Sequence, residues 1–139
     1  MTANSYNYQF PKTKEREVLS IYGQVLIGAA GAVTSYQGVG VTSVVKDTGD
    51  GDYLITLDDK YDTLLHASFM SSDDADTAIG IFQLQDSWAD IQTAIKAGTA
   101  IPFTCKSDGT TAANPADGEA ISFRLDVRRT PTTPSTRVQ

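Results

Sequence analysis

The sequence predicts an all-β protein, an antiparallel β-sandwich or small β-barrel of about seven short strands with at most one short helix. Two observations predict this class. Segments rich in β-branched and aromatic residues recur every 10 to 18 residues or so, and aspartate, which favours turns over helix interiors, supplies most of the 17 acidic residues. With 139 residues, of which 40% are hydrophobic, the chain has material for one core.

An extended arm is predicted at each end of the domain. The N-terminal segment lacks periodicity and carries Tyr6, Tyr8 and Phe10, whose rings need a surface to cover them. The C-terminal segment contains Pro131 and Pro134, which cannot continue a β-ladder. The predicted division is an N-terminal arm over residues 1–16, a β-sandwich or barrel domain over 17–129 and a C-terminal tail over 130–139.

The first half of the domain reads as a strand, a turn and a hairpin. The first strand is predicted over Val18–Ile27 and ends in the small-residue turn Gly28–Gly31. A second strand follows over Gly38–Val45, where the doubled valine indicates a bulge. Asp47–Asp52 has Asp-Gly turn chemistry, so we expect a hairpin with a returning strand over Tyr53–Leu57.

The next elements are two short strands and the helix. Strands are predicted over Leu64–Met70 and Ile79–Gln85. Ser87 is placed to cap a helix that runs through Ile95, because Gly98 follows just past its end.

The final two strands differ in how clearly they are patterned. Ile101–Cys105 reads as an edge strand, where the missing N–H of Pro102 would do least harm. Lys106–Gly118 reads as a long polar loop. In Ile121–Arg128 apolar and polar residues alternate, so one face should join the core and the other should be wet or a contact surface.

Charge and composition argue against several classes of function. The net charge of −6 repels phosphate backbones, so we expect no nucleic-acid partner. No apolar run approaches the roughly 20 residues that span a membrane, and we expect neither membrane insertion nor a secretory signal. The basic residues concentrate near the two ends of the chain: Lys12, Lys14 and Arg16 at one, and Arg124, Arg128, Arg129 and Arg137 at the other.

The residues that could take part in catalysis all have simpler structural explanations. Cys105, His66 and an aspartate could form a nucleophilic triad if the fold brought them together. However, Cys105 falls on the apolar phase of a predicted strand, where a thiol usually behaves as a small hydrophobe. We therefore predict no catalytic residue and no enzymatic activity.

Two acidic segments raise the question of calcium, because hard cations prefer several carboxylate oxygens from one turn. The spacing from Asp47 fails the EF-hand pattern, since Asp52 stands where glycine is required. We predict no metal or cofactor site, and solvated turns at both segments. The aspartates concerned are Asp47, Asp50, Asp52 and Asp58 in the first segment, and Asp73, Asp74 and Asp76 in the second.

Two stretches resemble small structural proteins of tailed bacteriophages. The first is GVGVTSVVKDTGDGDYLITLDDKYDTLL, from Gly38 to Leu65, and the second is ANPADGEAISFRLDVRRT, from Ala113 to Thr130. Together they cover about a third of the chain. In the first stretch the matching residues are Val44, Gly49, Gly51, Tyr53, Leu57, Asp59, Lys60, Tyr61 and Leu64.

The resemblance implies a virion component. We expect a capsid decoration, or cement, protein on the outer capsid surface, made in the host cytoplasm, that binds and stabilises the major capsid protein shell. The type of protein implies a homotrimer. The residues predicted to form its protein interface are Tyr6, Tyr8, Phe10, Arg124, Arg128 and Arg129.

Two alternatives remain open from the sequence. The protein could be a tail, collar or head-fibre attachment protein of the virion, which the copy number per particle would distinguish from a shell component. It could also be a carbohydrate-binding β-sandwich that uses exposed Tyr36, Tyr61 or Trp88, although core or hairpin packing is the simpler explanation for such rings.

Overall fold

Two four-stranded antiparallel sheets pack face to face in a computed structural model that describes residues 18–72, 81–108 and 110–129. The strand order is β2-β1-β8-β5 in sheet I and β3-β4-β7-β6 in sheet II. The predicted class, an antiparallel β-sandwich with one short helix, is confirmed. The elements are β1 (Val18–Ile27), β2 (Val33–Gln37), β3 (Val41–Lys46), β4 (Asp52–Leu57), β5 (Thr63–Ser72), β6 (Ile81–Leu84), α1 (Trp88–Ala97), β7 (Ile101–Lys106) and β8 (Ala120–Arg128).

The core lies between the sheets and follows from period-two alternation. Strand β8 buries one set of side chains and turns the intervening polar residues outward, as its pattern predicts. Full burial of side chains of this size stabilises the fold by about 1.5–3 kcal/mol each. The buried set of β8 is Ile121, Phe123, Leu125 and Val127.

Strand β2 was not predicted from the sequence. Four of its five residues are exposed, so it has no apolar alternation to detect. It forms because a short 3₁₀ turn over Ala29–Gly31 returns the chain alongside β1, where Val25 pairs with Tyr36. The described part of the chain therefore has eight strands where about seven were expected.

The prediction that β7 is an edge strand is wrong, because β7 lies between β4 and β6. Its proline is tolerated for a geometric reason. The N–H of Cys105 donates to Gly51 on the β4 side, so the backbone nitrogen of Pro102, an odd number of residues away, faces the β6 side. Strand β6 ends at Leu84, and Gln85 donates to the carbonyl oxygen of Pro102. The missing donor thus falls where the neighbouring strand stops.

Helix α1 has the termini that its sequence predicts. The Ser87 hydroxyl accepts a 3.2 Å hydrogen bond from the N–H of Asp90, and Gly98 closes the helix with a φ of 75°. Ile91 and Ile95 are its buried residues. The helix contacts β5 and β7, so it covers one end of the sandwich.

Candidate interaction surface

Both terminal segments join the domain at the same end of sheet I. Val18, the first residue of β1, pairs with Arg128, the last residue of β8. Thr63, at the start of β5, lies opposite Arg128 on the other side. We call this end of the sheet the terminal end. The predicted interface residues Tyr6, Tyr8 and Phe10 lie outside the described residues, as do the arm over 1–16 and the tail over 130–139.

Sheet I presents an exposed face on the side away from the core. We call it the outer face and define it by the outward residues of its three longest strands. Two large side chains stand out on it, since Tyr22 is 61% exposed and Met70 is 69% exposed. Its residues are Ser20, Tyr22, Gln24 and Leu26 of β1, Ser122, Arg124, Asp126 and Arg128 of β8, and His66, Ser68, Met70 and Ser72 of β5.

A polar cluster forms where β1 and β8 run side by side on this face. The Asp126 Oδ1 atom accepts a 2.6 Å hydrogen bond from the Ser20 hydroxyl and a 3.0 Å bond from Arg124 Nε. The Arg124 guanidinium also lies 5.7 Å from the centre of the Tyr22 ring. Partial burial opposes ionisation of Asp126, but these hydrogen bonds outweigh it and lower its pKa. The cluster is therefore an ion pair with an aromatic neighbour.

The three predicted interface arginines lie on β8 or directly after it. Arg124 and Arg128 point to the same side of β8 and stand four residues apart, about 13 Å along the strand. Arg128 is half-buried, and its carbonyl oxygen accepts a hydrogen bond from the N–H of Asp62. Arg129 follows it and is exposed. Arg128 and Arg129 therefore lie at the terminal end, whereas Arg124 lies midway along β8, where Asp126 balances its charge.

An open groove of about 640 Å³ borders the outer face, next to the turn between β2 and β3. The amide of Gln37 donates a 2.9 Å hydrogen bond to Gln24 along one wall, and Val39 is 95% exposed beside it. These groove residues were not predicted from the sequence. The alternation along β1 could have pointed to two of them, because exposed Tyr22 and Gln24 alternate with buried Ile21 and Val25.

Cys105 and His66 cannot act together. Cys105 is fully buried between the sheets, whereas His66 is exposed on the outer face of sheet I. Burial, reinforced by Glu119 and Asp52, raises the pKa of the Cys105 thiol to about 12. The thiol is therefore protonated and inaccessible, which is incompatible with a nucleophilic role.

Two aspartates of the first acidic segment accept hydrogen bonds within the fold. Asp47 accepts a 2.8 Å bond from the N–H of Thr48, and Asp50 accepts a 3.2 Å bond from the Asn114 amide. Within the described ranges no group of three or more His, Cys, Asp or Glu side chains is placed to hold a metal ion. The second acidic segment, Asp73, Asp74 and Asp76, lies outside those ranges.

The three aromatic residues considered for carbohydrate binding do not share a surface. Tyr61 is buried, with 8% of its surface exposed. Tyr36 and Trp88 are exposed, but Tyr36 lies on β2 beside β3, where its hydroxyl donates to the carbonyl oxygen of Thr42. Trp88 begins helix α1, which packs against β5 and β7. These rings therefore do not form one sugar-binding platform.

Comparison with family models, with curated proteins and with solved structures found no match to this chain. In the described part of the chain, no helix has the length and apolar character needed to cross a membrane.

Proposed function

We propose that this chain is a virion structural protein of a tailed bacteriophage, and that it acts as a capsid decoration protein that stabilises the major capsid protein shell. The observation that carries the proposal is the pairing of Val18 with Arg128. Because of it, two chain ends far apart in sequence leave the domain side by side. Both can therefore reach the same neighbouring surface.

The chemistry of the two ends fits a docking role. Six of the 11 basic residues lie before Val18 or from Arg128 onward, in a chain of net charge −6. The two segments join the domain side by side, because Val18 pairs with Arg128. Positive charge on both segments would favour oriented approach to an acidic surface. Tyr6, Tyr8 and Phe10 add aromatic side chains of the kind that anchor protein interfaces.

Several residues that match the phage proteins have structural roles in this fold. Tyr53 and Leu64 are completely buried. Gly51 has a φ of 77°, and a Cβ there would lie 2.6 Å from the carbonyl oxygens of Cys105 and Ala113. In the first stretch, the resemblance therefore supports a shared scaffold.

The first test is to locate and count the protein in particles purified from the cells that make it. Immunogold labelling and quantitative mass spectrometry should find hundreds of copies on the head. A few to tens of copies at the tail or collar would replace decoration with the attachment role, and absence from particles would overturn the virion proposal.

The second test addresses the docking surface with a charge-matched pair of variants. R124Q/R129Q removes two exposed positive charges from β8 and the residue that follows it, and K46Q/K106Q removes two positive charges from β3 and β7 of sheet II. The arginine variant should bind stripped capsids about tenfold more weakly at low salt, and the difference should shrink as salt screens the charges. Equal binding by the two variants would place the contact elsewhere.

Deletion of residues 1–12 tests the arm directly. The truncated chain should keep the circular dichroism and thermal unfolding of the full chain, since the described sandwich starts at Val18. Its binding to stripped capsids should fall. Unchanged affinity would show that the arm does not contribute to docking.

A further inference from the structure

Strand β5 is a long edge strand whose central residues lack the usual protection against pairing with another chain. It has ten residues, TLLHASFMSS, and lies outermost in sheet I. It contains no proline and no Lys, Arg, Asp or Glu, the residues that commonly blunt sheet edges. The other three edges are shorter: β2 has five residues, β3 has six and ends in Lys46, and β6 has four.

Near the start of β5, the side chain of Gln92 already pairs with the edge. The Gln92 amide of helix α1 accepts a 2.8 Å hydrogen bond from the N–H of Leu64 and donates a 2.8 Å bond to its carbonyl oxygen. A primary amide that makes both bonds imitates one peptide unit of an adjacent strand. The protection covers Leu64 alone, and a bulge follows between Leu64 and His66.

Beyond the bulge, the outward backbone groups belong to Ala67, Phe69 and Ser71, of which Ser71 already has an interaction of its own. The N–H of Ile27 donates to Glu119 on the β1 side of β8, so the even-numbered residues of β8 present their backbone groups to β5. Their partners are His66, Ser68, Met70 and Ser72. The N–H and C=O groups of Ala67 and Phe69 therefore point away from sheet I, and no described residue pairs with them.

Apolar side chains remain partly exposed on the same side of the sandwich. Phe69 stacks on Phe82 of β6 with ring centres 6.0 Å apart, and both rings are only half-buried. Leu84 is also half-buried, and Ile81 is 40% exposed. An added strand would therefore cover apolar surface as well as backbone groups.

We propose that β5 pairs antiparallel with β5 of a second copy of this chain, with the two-fold axis at Ser68. In this register Ala67 and the partner's Phe69 exchange backbone hydrogen bonds, and so do Phe69 and the partner's Ala67. A large side chain then faces a small one, Ser68 faces the partner's Ser68, and no like charges meet. The strand is complementary to itself, which is what a two-fold contact requires.

The pairing covers positions 66–70, because the Gln92 amide already occupies the edge at Leu64. Over that stretch it joins the two copies of sheet I into one continuous eight-stranded sheet. Because the axis is perpendicular to the sheet, both outer faces point to the same side, so one flat partner can contact both. The three-fold association implied by the phage resemblance would need a different surface. The inference depends only on the β5 edge, so it stands or fails independently of the virion proposal.

Engineered cysteines test the register in the full-length protein. In S68C, the two introduced residues would be a non-hydrogen-bonded pair with Cα atoms about 4.5 Å apart, a distance that allows a disulfide. In the control M70C, the two introduced cysteines would lie four positions apart along the paired strands, about 13 Å. Native Cys105 is buried and does not interfere. Mild oxidation should convert S68C to a covalent dimer at least tenfold faster than M70C, and equal rates would overturn the proposal.

Analytical ultracentrifugation supplies a second readout with a matched charge control. S68D should keep the fold, since Arg124 lies directly opposite in β8, but it places two carboxylates together at the axis. Its dimer dissociation constant should rise about tenfold relative to S122D, whose charge is on the outer face but away from the edge. A wild-type chain that remains monomeric at all concentrations tested, or equal dissociation constants for the two variants, would overturn the proposal.

Discussion

The Tyr53 hydroxyl donates a 2.6 Å hydrogen bond to the carbonyl oxygen of Gly31 inside the sandwich. Tyr53 belongs to β4 of sheet II, and Gly31 lies in the turn that follows β1 of sheet I, so the bond joins the two sheets. Burial raises the pKa of Tyr53 far above its usual value. The hydroxyl therefore remains a donor wherever the protein is folded.

Removal of this hydroxyl should destabilise the fold without changing its shape. In Y53F the Gly31 carbonyl loses its donor in a fully buried environment, which costs about 1–3 kcal/mol. Urea denaturation should show that loss as a lower midpoint with an unchanged slope. Y22F is the matched control, because the Tyr22 ring is 61% exposed, and its stability should remain within about 0.5 kcal/mol of wild type. Equal stabilities for the two variants would contradict this account.

Asp108 should make the free energy of unfolding depend on pH in the acid range. Hydrogen bonds from the backbone and side chains of Thr110 and Thr111 lower the pKa of this exposed carboxyl to about 2. Because the folded-state pKa is depressed, the ionised carboxylate of Asp108 stabilises the fold at pH values above its unfolded-state pKa, which is near 4. That stabilisation is lost as the pH falls through 2. The stability difference between wild type and D108N should therefore be largest near neutral pH and shrink toward pH 2. A constant difference would show that the carboxylate charge is not involved.

Gly23 and Phe123 should behave as one coupled unit. They face each other across β1 and β8, and a Cβ at position 23 would overlap the Phe123 ring. G23A should destabilise the fold by about 1–3 kcal/mol, as overpacking usually does. The smaller side chain in F123L leaves room for the methyl group, so the same change should cost less in that background. A double-mutant cycle measures the coupling, and simple additivity would argue against the contact.

Cys105 should resist thiol reagents until the protein unfolds. The side chain is fully buried, and its pKa is raised to about 12. Labelling with Ellman's reagent at mildly alkaline pH should be at least a hundredfold slower in the native protein than in guanidinium chloride, in proportion to the opening of the core. Rapid labelling of the native chain would indicate an accessible, reactive thiol and would reopen the question of catalysis.

Local patterns were enough to predict several elements. The alternation in β8, the caps of α1 at Ser87 and Gly98, and the Asp-Gly turn before Tyr53 are each encoded within about ten neighbouring residues. Strand β2 escaped prediction because its residues are mostly exposed, and its pairing with β1 provides what its side chains do not.

The sequence by itself determined the all-β class and the faces of its best-patterned strands, because alternation and turn chemistry depend on neighbouring residues. Only the tertiary structure decided that β7 is interior and that Val18 lies beside Arg128. It also decided that Ser20 and Asp126 form a hydrogen bond across 106 positions of sequence. The physical reason is that strand pairing joins segments through backbone groups that every residue carries, so side-chain patterns do not name the partner strand.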